Sequence, residues 1–550
     1  TTASAWHTPV VPGVEDSTAG MPHWNRQRAG SQLGSCEDAC LAMSSMCGTR
    51  PRNLDRRGEA APPLPGRRAV LRASGTALLG GAALALAGCG YRPPGASAGA
   101  VDLDQMAVRY THLALQLAKH QPSLVEEWTG PADRASGPRL PVATLQSDLA
   151  TLVADAEHAA ADPRWAAMRA RAEADGQAGG RVVALAEVAD ALRVAYLSGQ
   201  IRALDDVASR LLGVARSFAD QARRTFGHAA PPRDVPAFDA LRAELAAILP
   251  AGDSLAARHA AYRRSAAVPP ERVDAVFRAA VDWCRAAARP HLPLPDGDTV
   301  TTRAEDTSGW AAFSRPTGPR SSDIWVAKGG GADAAHLLQL AAHEGTPGHH
   351  AQHVLARAVL ADGLGWTERR LHPAFGPHLM CAEGAAEAGA ALLLPNQTRI
   401  QVLAEVLLPA AGQPPALAAP LVRVERLAAA LDLEVAYIAA DYLDTSLSAD
   451  AATTRLRDEA LVLDAAGMVG FIEKQRTNVL AYPLGRRLVT AALGAGGAEA
   501  RWARLAAIST TLTLAAGSDH SPMTSAPHQS CRPKAVLQSD LRVASPRYSR

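Results

Sequence analysis

Aromatic residues make up only 4% of this 550-residue chain. Its interior therefore cannot rest on stacked rings, and alanine and leucine must fill it, which favours a helical fold. Cysteine is scarce as well: seven are too few and too scattered for a disulfide framework. Cys36, Cys40 and Cys47 form a CxxxC plus a third thiol, but in a stretch without periodicity, poor ground for a metal site. Cys284 and Cys381 read as simple buried thiols. Charge of one sign is lacking too, with 56 Lys and Arg against 54 Asp and Glu for a net +2. That balance, without any basic patch interleaved with aromatics, excludes nucleic acid as an expected partner. The apolar stretch from Thr76 to Ala87 falls short of the roughly 20 residues a bilayer span needs.

The content that remains is globular: 48% hydrophobic and 20% charged. The length allows one large domain or two to three ordinary ones. Residues 1–65 show no periodicity, and then Arg67 and Arg68 precede the short apolar stretch and Leu86-Ala87-Gly88-Cys89. Paired arginines before such a stretch are the pattern of a twin-arginine export signal. Leu-Ala-Gly-Cys resembles a bacterial lipobox. The expectation is that 1–88 is a removed leader and that lipidated Cys89 anchors an exported protein to a membrane of the cell envelope, through a tether at 89–100. Apolar residues at three- and four-residue spacing predict helices through an N-terminal region, 101–265. Thr299 to Val326 instead carries β-branched and aromatic residues between turns, a small strand-and-loop excursion. Helices resume at Asp333, and 266–516 reads as one catalytic body with the part before it. The tail at 517–550 loses the pattern and is expected to be disordered. The predicted fold is mainly α.

The chemistry concentrates in HEGTPGHH, residues 343–350, after the helix-forming run AAHLLQLAA. Neutral imidazole is a zinc ligand, and a glutamate beside it can act as general base for metal-bound water. A zinc-binding helix usually spaces two histidines four apart, about 6 Å along its axis. Here Pro347 occupies that position, and His350 lies about 10.5 Å from His343 on an ideal helix. Proline breaks the hydrogen-bond ladder and Gly348 adds freedom, so an irregular turn at 346–349 is predicted. It would swing His349, or less readily His350, back toward His343. Glu383 is the best remote third ligand, with Glu387 one helical turn beyond on the same face. Two histidines and one carboxylate leave a position open for water, which Glu344 would deprotonate.

These residues resemble a bacterial family known as domain of unknown function 885, grouped with gluzincin-like metallopeptidases. HEGTPGHH matches its HE-x-x-PGHH at every fixed position; EGAAEA at 383–388 keeps only the Glu-Gly of EGWALY, with Ala385 and Ala388 at the aromatic positions. EKQRTNVLAYPLGR echoes a third segment through Glu473, Arg476, Ala481, Tyr482 and Gly485. The resemblance implies a multi-helical metallopeptidase-like domain, zinc on His343, Glu383 and His349 or His350, and Glu344 as base. It also implies Tyr482 as an oxyanion donor and Arg476 as a partner for a substrate carboxylate. Where the family has Asp-x-Gly-x-His, this chain has Asp432 but no histidine, and Tyr437 and Tyr442 are candidates to fill that space. The expected function is a zinc peptidase on short peptides. The alternatives are a metal-dependent amidase or esterase, and an inactive binding lipoprotein.

Overall fold

The computed structural model describes residues 102–165, 167–168, 185–307, 310–445 and 447–514. The proposed leader with Arg67 and Arg68, Cys89, the tether to Ala100, Cys36, Cys40, Cys47 and the tail at 517–550 lie outside the described residues. What is described is mainly α, as the periodicity predicts.

Three N-terminal helices, α1 (Leu103–Ala118), α2 (Val142–Ala160) and α3 (Leu185–Leu211), enclose Tyr110, Leu145, Leu149, Leu197 and Leu204. Their shared core reaches Phe375, so this bundle is packed directly onto the metal-site region. Asp102 caps α1 by accepting the backbone N–H groups of Asp104 and Gln105. Helical structure breaks after α3. A new helix, α4 (Phe218–Phe226), starts at an N-cap serine, Ser217, and stops at left-handed Gly227. After it come α5 (Val235–Ile248), α6 (Leu255–Ser265) and α7 (Pro270–Ala288).

The excursion is a three-stranded sheet of β2 (Thr299–Glu305), β3 (Ala312–Gly318) and β4 (Ser321–Ala327), ordered β2-β4-β3. β4 is parallel to β2 and antiparallel to β3. Buried Ile324 and Val326 on β4 pack into the same core as α7 and α8 (Ala334–Glu344). A second, two-stranded pair was not expected: β1 (Val125–Trp128) runs antiparallel to β5 (Leu371–Pro373).

α9 (His349–Ala356) and α10 (Gly376–Leu393) complete the elements around the site. α10 is buried on nearly every face, and a later helix, α11 (Ala481–Leu493), crosses it at backbone contact. A Cβ on Gly384 would lie 2.4 Å from the Gly485 carbonyl carbon. The two glycines are thus the condition for that crossing. A last helix, α12 (Ala498–Thr511), adds Leu505 to the core beneath Gly389. Cys284 and Cys381 are buried free thiols, and burial pushes the Cys381 thiol up to about 12. Among the described residues no helix is long and apolar enough to cross a membrane.

Candidate metal centre

Asp333 starts α8 by accepting the His336 N–H at 2.9 Å. The helix ends at Glu344, because Pro347 has no N–H to continue it. The chain then folds back through a turn whose Thr346–Pro347 bond is cis, and α9 begins at His349. Gly348 passes so close to the His343 carbonyl that a Cβ there would sit 1.7 Å from its oxygen. This turn replaces a continuous helix and brings His343 and His349 edge to face, ring centroids 4.8 Å apart.

His343, His349 and Glu383 of α10 offer ligand atoms that all lie within 4.8 Å of one another. His343 Nε2 is 3.1 Å and His349 Nε2 3.5 Å from Glu383 Oε2. The opposite ring nitrogens are anchored: His343 Nδ1 donates to Glu387 Oε1 at 3.0 Å, His349 Nδ1 to Gln352 Oε1 at 3.1 Å. Gln352 is fixed in turn by donating to the Ala382 carbonyl. Both imidazoles are thereby set to present Nε2 to one point.

His350 requires a correction as a ligand candidate. It is fully buried against the sheet, Nδ1 at 2.9 Å from Ser322 Oγ and Nε2 at 3.5 Å from Asp298. Adjacent helix positions point about 100° apart, so the turn that presents His349 sends His350 the other way.

Electrostatics bind the group together. Burial alone would raise the Glu383 carboxyl, but the His349 charge and the hydrogen bonds from His343 and His349 bring it down to about 2. His343 shows the converse: burial opposes its protonation, yet its bonds to Glu383 and Glu387 hold it well above the usual imidazole range. Glu344 is buried at 3% exposure, and burial raises its carboxyl. The main chain of Ser314 on β3 approaches that carboxylate.

Other predicted residues stand elsewhere. Arg476 Nε donates to Gln221 on α4. Tyr482 lines a cavity of about 90 Å³ with His259, His336, Glu425 and Asp432, and none of the three clustered ligands lines it. Asp432 pairs with Arg486 at 2.7 Å. Tyr437 is tied to the Pro231 carbonyl and Tyr442 to Glu473, so neither is free to replace a histidine. Ala385 and Ala388 are buried in the core around α8, where larger side chains would need more room.

Sequence reasoning missed the supports. Glu387 had the right spacing, but a carboxylate one turn from Glu383 also fits a solvated edge. Gln339, Arg399 and Glu425 extend the chain behind Glu387 through bonds of 3.3, 2.8 and 2.7 Å. Nothing in their spacing signals this.

No family model matches the chain, and no curated protein matches it. Among solved structures it is similar to one described as a candidate lipoprotein from Colwellia psychrerythraea, at 14% identity and TM-score 0.36, covering 67% of this chain and 69% of that one. Another, described as a candidate lipoprotein of unknown function from Shewanella oneidensis, shares 13% identity at TM-score 0.36, over 70% and 76% of the two chains.

Proposed function

We propose that this chain is a zinc-dependent hydrolase acting on short peptides outside the cytoplasm. One observation carries the reading: two histidine Nε2 atoms and a Glu383 oxygen converge while both Nδ1 atoms are held by other side chains. Zinc bonds near 2.0–2.1 Å in a tetrahedron place neighbouring ligand atoms about 3.3 Å apart. The separations of 3.1 and 3.5 Å bracket that value. Glu344 Oε2 is buried without a hydrogen-bond partner, which polar atoms rarely tolerate unless something else satisfies them. The residues therefore fit the ion, with three protein ligands and one open position.

Zinc held there would supply a polarised carbonyl and a water acidic enough to lose its proton near neutral pH. With zinc in place, Glu344 would serve as the general base, accepting a proton from water at its carboxylate and giving it up to the departing amine. Its burial raises its proton affinity, which suits a base that must also hand the proton on. Glu387 and Gln352 keep His343 and His349 in the Nδ1–H tautomer. This mechanism uses neither Tyr482 nor Arg476. The HE-x-x-PGHH pattern supports kinship with the domain of unknown function 885 family, and the Leu86–Cys89 sequence supports export and anchoring at Cys89.

The test is the metal content of the purified protein, followed by a peptide library. About one zinc per chain, lost in His343→Ala, is expected, with peptide hydrolysis that Glu344→Gln abolishes while retaining zinc. Absence of zinc after reconstitution would overturn the reading.

A further inference from the structure

A second site stands apart from the metal centre. The cavity of about 90 Å³ beside Tyr482 is partly open to solvent, and none of His343, His349 and Glu383 lines it. α6 supplies His259 and Arg263 to its wall, α8 supplies His336, and the helix Ala418–Ala429 supplies Glu425. Val435, Leu461, Met468 and Phe471 make much of the remainder apolar. Leu461 is buried there with φ at 55°, in the left-handed region that a bulky side chain seldom enters. Backbone held in that way is a feature of ligand clamps.

The charges around the cavity decide what it can take. Arg263 pairs with Asp333 at 2.8 Å, Arg399 with Glu425 at 2.7 Å and Arg486 with Asp432 at 2.7 Å. Each of these ionic groups already has its counter-charge, so a charged ligand would be buried without one, which is costly. Burial, aided by Arg263, keeps His259 and His336 neutral. His336 is 6% exposed, and among the described residues its Nε2 has no hydrogen-bond partner. Buried polar atoms are nearly always paired, so this nitrogen calls for a partner from outside the chain. A hydroxyl suits it in either tautomer, because it both donates and accepts. An apolar cavity of about 150 Å³ admits benzene, which leaves room here for about four or five heavy atoms.

We propose that this cavity is a binding site for a small uncharged molecule, a short aliphatic body carrying one hydroxyl group that meets His336 Nε2. The site needs neither metal nor turnover, so it stands whether or not the hydrolase reading does.

The test is methyl NMR on the full chain labelled with carbon-13 at methionine, since Met468 lines the cavity and Met468→Leu identifies its signal. The probes share one carbon skeleton: isobutanol, isobutylammonium and isobutyrate. Isobutanol is expected to shift the Met468 methyl saturably, with a Kd of about 1–10 mM, while the two ions leave it in place. Ala428→Leu, which fills the cavity from its wall, should abolish that shift. His336→Leu should weaken isobutanol binding about fivefold, the scale of one neutral hydrogen bond. No saturable shift overturns the inference and leaves the cavity to water. So does a shift that survives Ala428→Leu, an ion that binds as tightly as isobutanol, or undiminished binding in His336→Leu. If His336→Leu fails to fold, Ala428→Leu and the two ions decide.

Discussion

Glu387 accepts the His343 Nδ1–H at 3.0 Å and is itself held by Gln339. Removing its charge should leave the fold in place and loosen the metal, because a ring no longer pinned can rotate its Nε2 away from the point it shares with His349. Glu387→Gln is therefore expected to weaken zinc binding about 10–100-fold, measured by competition with a chelator. Gln352→Ala should act in the same direction through His349, and also frees the Ala382 carbonyl. A Glu387→Gln protein binding zinc as tightly as the parent would mean that His343 is positioned by packing alone. At this scale the sequence was informative about types and poor about directions. HEGTPGHH names its imidazoles, but whether His349 or His350 faces His343 depends on how tightly a turn closes around Gly348, and only coordinates carry that.

The crossing of α10 and α11 is an element-scale condition on the site, because α10 carries both Glu383 and Glu387. A Cβ at Gly485 would come within 2.4 Å of the Met380 carbonyl oxygen, so Gly485→Ala must push the helices apart. The expected destabilisation is about 1–3 kcal/mol by urea unfolding, with weaker zinc binding as α10 shifts. Stability unchanged from the parent would show that the helices slide at no cost. Element existence was readable here where periodicity is strong: α2 lies within the N-terminal region predicted to be helical, and the sheet matches the predicted excursion to within a residue. The β1–β5 pair was not, because each strand is short and its partner lies more than 240 residues away along the chain. α10 hides its role for a related reason: a helix buried all round has no polar stripe to mark which face carries function.

Across the whole molecule, acid should act through histidines held neutral. Burial, reinforced by Arg263, lowers His259 to about 4 and His336 to about 3. Burial likewise lowers His353 to about 4 and His372 to about 3. In the unfolded chain these rings take a proton near pH 6.5. Between that pH and their native values the unfolded state binds more protons than the folded one, so stability rises with pH through this window. It is fully present above pH 6.5 and is lost as pH falls toward 4 to 3. His343, raised in the metal-free protein, contributes with the opposite sign, so a single pH curve mixes the two effects. A difference measurement separates them. His336→Gln should reduce the stability lost between pH 7.5 and 5.5 by about 1 kcal/mol relative to the parent, measured by urea unfolding at both pH values. The same loss in parent and variant would mean that His336 binds a proton in the folded state as readily as in the unfolded one. The cavity it shares with His259 would then have to admit water or an anion to stabilise that charge.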